Sequence, residues 1–93
     1  MADLNFDWDE WNNNKNEEKH GVSRFEAESV FFDANIVIFE DLKHSQIENR
    51  YIAYGSSHEN RVLMIGFTTR RIKIRIITAR PASKKERSVY EKK

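Results

Sequence analysis

From residue 72 the chain reads Ile-Lys-Ile-Arg-Ile, apolar and charged positions alternating one for one. A period of two belongs to a β-strand with one buried and one wet face, and the wet face here carries Lys73 and Arg75. The spacing predicts a strand over 72–80, with its isoleucines in the core, closed by Pro81, which has no N–H to give to a ladder. Three further runs read as strands: IVIFE at 36–40, RYIAYGSS at 50–57 and RVLMIGFTT at 61–69. The connections GSSHEN and TRR are short, so the last three strands are expected to be antiparallel neighbours in a meander. LNFDW at 4–8 makes a short first strand with Leu4, Phe6 and Trp8 on one face.

Helices are signalled by their ends. Asp9 stands where an N-cap would, before a helix running to His20, although the asparagines at 12–14 are weak helix formers. Gly21 is placed to stop it. Ser23 and Glu26 spell a capping box that opens a second helix over 24–33, with Phe25, Ala27, Val30 and Phe31 on one apolar face. Ser83 and Glu86 repeat the pattern for a last helix. Trp8 and Trp11 are expected to pack the core and the first helix. The order strand, two helices, four strands, helix defines an α+β fold, with an antiparallel sheet covered by segregated helices. Without an internal repeat or a linker, residues 1–93 are read as one domain.

Composition narrows the function. No cysteine is present, so disulfides and thiolate metal sites are excluded. The start lacks the basic-then-apolar pattern of a secretory signal, and no apolar run approaches the roughly 20 residues of a membrane span, so a cytoplasmic location without membrane contact is expected. Three scattered glycines, 21, 55 and 66, cannot write a phosphate-cradling loop. His20, His44 and His58 lack metal-ligand spacing, so no metal and no cofactor is implied. The net charge of +1 hides a split: residues 1–60 hold 5 Lys/Arg against 13 Asp/Glu, net −8, and residues 61–93 hold 11 against 2, net +9. Either the basic third meets an anionic partner such as nucleic acid, or the two halves neutralise each other across the fold.

One ordered set of motifs goes further. NEEKHGVS at 16–23, EAESVFF at 26–32, DLKHSQIENRYIAYG at 41–55, FTTR at 67–70 and IRIITARPASKKERSVYE at 74–91 resemble the BrnT family of bacterial type II toxins. The resemblance runs from about Phe6 to Glu91. It implies a RelE-like ribonuclease that stops translation and growth, RNA as substrate, and neutralisation by a BrnA-like antitoxin in a hetero-oligomer. Operator DNA would be reached only through that antitoxin. The sequence departs from the family pattern in three places: Glu10 and Asn12 stand where proline and lysine are usual, and Arg71 where glycine is.

Metal-independent RNA cleavage uses the 2′-hydroxyl as an internal nucleophile, so charge on the crowded phosphate must be stabilised and protons moved. Arg70, Arg75 and Arg80 are the candidate phosphate clamps, because a planar guanidinium holds phosphate oxygens two at a time; their plainer reading is a solvated strand face. His20 and His44 are the acid–base candidates by residue type. Glu86 and Tyr90, one helical turn apart, complete the catalytic candidates. Glu86 has a competing role in its capping box, and Tyr90 either stacks on a base or packs its helix on the sheet. Lys19, His44, Arg71, Lys73, Lys84, Lys85 and Arg87 are the candidate RNA-binding residues. The alternative to an enzyme is a non-catalytic basic module that binds nucleic acid or an acidic antitoxin.

Overall fold

The structure is a computed structural model that describes residues 4–46 and 48–92, apart from the side chains of residues 11–13. The expected packing role of Trp11 therefore lies outside the described residues. The elements are β1 (Asn5–Trp8), α1 (Glu10–His20), α2 (Arg24–Ser29) continued by a 3₁₀ turn (Val30–Phe32), β2 (Val37–Glu40), a second 3₁₀ turn (Leu42–His44), β3 (Arg50–Ser56), β4 (Val62–Arg70), β5 (Lys73–Pro81) and α3 (Lys84–Glu91). The architecture is the expected α+β arrangement, three helices on a five-stranded sheet ordered β1-β5-β4-β3-β2.

Strands β2 to β5 form the antiparallel meander. The sheet as a whole is mixed, because β1 joins the β5 edge in parallel, Phe6 opposite Ile74 and Trp8 opposite Ile76. No short turn links β1 to β5, so nothing local fixes their relative direction. The direction is set by α1, which follows β1 directly and lies against β5.

The core sits between the helices and one sheet face. Val22, Ala27 and Val30 meet Ala53, Leu63, Ile65, Phe67, Ile76 and Ala79. Phe31 joins them, its ring 5.0 Å from that of Phe67 and 5.6 Å from that of Phe6. Two expected core residues lie outside. Phe25 is 71% exposed; it stands two residues from Ala27, about 200° around the helix, and Ala27 faces the sheet. Val30 fixes that orientation, because a Cβ on Gly55 would lie 2.6 Å from its Cγ1. Ile72 is 79% exposed. Arg70 pairs with Lys73, so Ile72 belongs to a two-residue turn and not to the strand. Its turn partner Arg71 has φ +55°, a left-handed conformation that costs a non-glycine residue about 1 kcal/mol.

One irregularity decides what the sheet presents. Phe67 pairs with Ile76 but Gly66 pairs with Thr78, which leaves Ile77 as an extra residue in β5. Such a bulge reverses the alternation of the strand beyond it. Ile74 and Ile76 point to the core before it, and Ala79 does so after it. Arg80, which strict alternation would place with the isoleucines, is thereby turned to the face of Arg75.

Candidate nucleic-acid interface

Residues paired across the sheet share a face, so the register defines the surface opposite the core. Three successive rows make up its middle, beside an end row of Asn5, Lys73 and Arg70. Asp7, Arg75, Thr68 and Arg50 form the first; Thr78, Gly66, Ile52 and Phe39 the second; Arg80, Met64, Tyr54 and Val37 the third. The first row carries two arginines, the middle row is apolar except for one hydroxyl, and the third begins with Arg80. A depression of about 300 Å³ opens here, bounded by Arg50, Ile52, Met64, Thr78, Arg80 and the turn residue His44.

Arg80 is the most firmly placed cation of this face. Its Nη1 and Nη2 each donate to a carboxylate oxygen of Glu86 at 2.8 Å. Glu86 Oε1 also accepts from Ser83 N at 2.8 Å, closing the capping box that starts α3. Glu86 therefore fills both roles weighed for it. The paired guanidinium holds the Glu86 carboxyl below its ordinary range, and the carboxylate raises Arg80 in turn. Nη1 makes a further bond to Pro81 O, and the Nε–H of Arg80 has no partner among the described residues. Burial raises the phenol of Tyr54, which lies beside this pair.

His44 is held from the same turn: its Nδ1 lies 2.8 Å from Asp41 Oδ2, an arrangement that orients the imidazole and leaves Nε2 uncommitted. Arg75 leans the other way, toward Asp7 and Asp9, with both contacts at 3.4 Å. Arg70 is more exposed and meets Glu48 at 3.7 Å. Arg71, Lys73, Lys84, Lys85 and Arg87 are exposed and make no ion pair among the described residues.

The remaining candidates lie elsewhere. Tyr90 packs its helix: its hydroxyl donates to Asp33 Oδ2 at 2.6 Å, and that carboxylate pushes the phenol up to about 12. His20 and Lys19 end α1, on the helical layer, and no hydrogen bond or ion pair among the described residues brings His20 to the arginines. Sequence reasoning passed over Arg50 and Asp41. Asp41 had a local signal, the Asp-x-x-His spacing to His44 within one turn. Arg50 had none, since its place beside Thr68 depends on the register across a hairpin whose loop length leaves it open.

The two charge readings divide between regions. Neutralisation across the fold accounts for Arg75 with Asp7 and Asp9, and for Arg61, which pairs with Glu26 in the helical layer at 2.6 Å. The exposed cations Arg71 and Lys73 at the β4–β5 turn and Lys84, Lys85 and Arg87 on α3, which make no ion pair among the described residues, remain for an anionic partner. Among the described residues, no group of three or more histidine or acidic side chains is placed to hold a metal ion, and no helix is long and apolar enough to cross a membrane.

Comparison with known proteins gives a likeness in fold and a family. The chain is similar in structure to the Brucella abortus ribonuclease toxin BrnT, with 20% identity and a TM-score of 0.66, over 88% of this chain and 100% of that one. A likeness at that identity speaks for the fold. A comparison with curated proteins gives no match. The family model for the ribonuclease toxin BrnT of type II toxin–antitoxin systems matches residues 8–86, from the end of β1 into α3, and the chain belongs to that family.

Proposed function

We propose that the open sheet face cuts RNA, and that the depression between Arg50, Arg80 and His44 is where it does so. The observation that carries this reading is the bulge at Ile77, which sets Arg80 on the same face as Arg50 and His44 while Glu86 fixes its guanidinium. A phosphate seated on Arg80 would be gripped by a group whose geometry is set before the substrate arrives, the arrangement that stabilises developing charge best. His44 Nε2, with its ring steadied by Asp41, takes the proton of the 2′-hydroxyl. The oxygen attacks the adjacent phosphorus, the bond to the 5′-oxygen breaks, and His44 returns the proton to that leaving oxygen. The products are a 2′,3′-cyclic phosphate and a 5′-hydroxyl. Arg70, Arg71, Lys73, Lys84, Lys85 and Arg87 supply the sequence-independent attraction for the backbone.

The reaction needs no metal ion in this scheme. In the cell, cleavage of messenger RNA would stop translation and growth. A BrnA-like antitoxin would restore both by forming a hetero-oligomer and would carry the complex to operator DNA. Membership of a family of ribonuclease toxins of type II toxin–antitoxin systems supports the RNA substrate and an antitoxin partner.

The test is direct. Purified protein is incubated with mixed RNA in excess EDTA, and the new ends are identified. Fragments ending in cyclic phosphate are expected. RNA left intact would favour a non-catalytic binding module, and cleavage abolished by EDTA and restored by one divalent ion would refute the metal-free scheme. Induction of the chain alone is expected to arrest growth, with recovery when the antitoxin is co-expressed.

A further inference from the structure

Glycine inside a strand weakens it by about 0.5–1 kcal/mol and usually has a local cause. Gly21 has one, its φ of +65° at the end of α1, and Gly55 has another, the close approach of Val30. Gly66 has neither. Its backbone is not left-handed, and an added Cβ would meet Thr78 Cβ at 3.5 Å, an ordinary contact. The neighbouring bulge does not demand it, because the extra residue, Ile77, lies on the other strand. The fold would accept a side chain here, and one is missing on the floor of the depression.

The surroundings of that gap differ from those of a phosphate site. Ile52 and Met64 flank Gly66 with apolar surface, and the hydroxyl of Thr78 has no hydrogen-bond partner among the described residues. The hydroxyl of Thr68, on the row of Arg75, is by contrast occupied by Asn49 O at 2.6 Å. The rows of Arg50 and Arg80 are separated by four residues along β4, about 13 Å of strand. Arg80, held by Glu86, borders the depression from the third row, and Arg75 is drawn to Asp7 and Asp9 at the strand edge. Phosphates belong on the flanks. The middle suits a flat group with apolar faces and a polar edge.

We propose that the middle row is a nucleobase pocket, in which the base beside the scissile phosphate lies over Gly66 between Ile52 and Met64, with its edge at Thr78 Oγ1, and that Gly66 sets which base is admitted. The proposal rests on the RNA-cleaving reading of this face. It adds that cleavage has a base preference and names the residues that impose it.

The experiment compares wild type, Gly66→Val and Thr78→Val on short RNA strands carrying one abasic ribose at successive positions around the cleaved phosphate. Wild type is expected to lose at least about tenfold in kcat/KM at one abasic position. Gly66→Val should lose a similar factor on intact RNA and become indifferent to that abasic position, with its salt dependence unchanged. Thr78→Val, nearly the same shape, should shift the preferred base while melting like wild type, which keeps the test valid if Gly66→Val folds poorly. Equal cleavage of all abasic strands by wild type, or unchanged base preference in both variants, overturns the pocket and leaves the ribonuclease reading standing. Failure of wild type to cleave or bind any RNA overturns both.

Discussion

The motif Ser-x-x-Glu occurs at two helix starts, Ser23–Glu26 and Ser83–Glu86, and the two glutamates end in different employment. In both, the serine hydroxyl accepts from the backbone N–H of the glutamate, at 3.1 Å and 3.2 Å. At α3 the box closes, and the carboxylate also grips Arg80 on the open face. At α2 the glutamate turns inward. Glu26, 4% exposed, accepts from Arg61 Nε and Nη2 at 2.6 Å and from Ser57 Oγ at 2.7 Å. The same guanidinium reaches Gly21 O at 2.9 Å, so this pair ties the α1–α2 hinge to the β3–β4 hairpin. The first pair spends Nε and Nη2 of Arg61 on the helical layer. The other leaves the Nε–H of Arg80 for a ligand. An arginine–carboxylate pair is therefore judged by which donors it leaves over and which face they point to.

The sharpest way to break this comparison is to remove each arginine's function in turn. Arg80→Ala should lower RNA cleavage by about 10²–10³-fold, the scale for loss of one charge-stabilising donor, with little change in melting temperature. Full activity in that variant, measured as single-turnover cleavage beside a melting curve, would remove Arg80 from the site. Glu26→Ala should do the reverse. It leaves Arg61 and Ser57 without their acceptor, and a destabilisation of about 2–3 kcal/mol is expected, less than for a fully buried pair because Arg61 reaches solvent. In a chain of this size that is roughly 10 °C or more in melting temperature, with cleavage per folded molecule retained.

Glu86→Gln tests whether the second pair positions its arginine. The amide can still accept from Ser83 N, so stability should fall by about 1 kcal/mol or less, while cleavage drops about tenfold because Arg80 is no longer held by charge. Recovery with Glu86→Asp at a partial level would point to the charge, and unchanged activity would reduce Glu86 to a cap.

The smallest effects are those of pH on stability. Glu26 and Glu86 both have folded pKa values below the unfolded 4.5, set mainly by Arg61 and Arg80 respectively. Below 4.5 the unfolded chain binds the proton first, so their stabilisation is complete above that pH and fades as pH falls through the folded values. Tyr90 behaves oppositely: raised from 10 to about 12 by Asp33, its contribution is whole below pH 10 and is lost as pH rises toward 12. Melting curves of wild type against Glu26→Gln in acid, and against Tyr90→Phe in alkali, should each lose the matching slope.

Much of the fold was legible because its signals are local. Alternation gave β5, capping serines gave α2 and α3, and Pro81 gave the end of the sheet. Phe25 was misplaced because two helical faces compete in a six-residue helix and only the sheet, through Gly55, selects one. Ile72 continued an alternation that the hairpin turn interrupts. The parallel β1 edge was hidden because its partner lies at the far end of the chain.

By itself the sequence determined the elements, the basic character of the last third and the motifs shared with the BrnT family, since these depend on neighbours within a few residues. Which arginines share a face was decided only by tertiary structure. That choice depends on a single unpaired residue, Ile77, left over where the β4–β5 register shifts by one. A one-residue shift leaves the composition and the local periodicity almost unchanged, yet it moves Arg80 to the open face, where Glu86 can hold it.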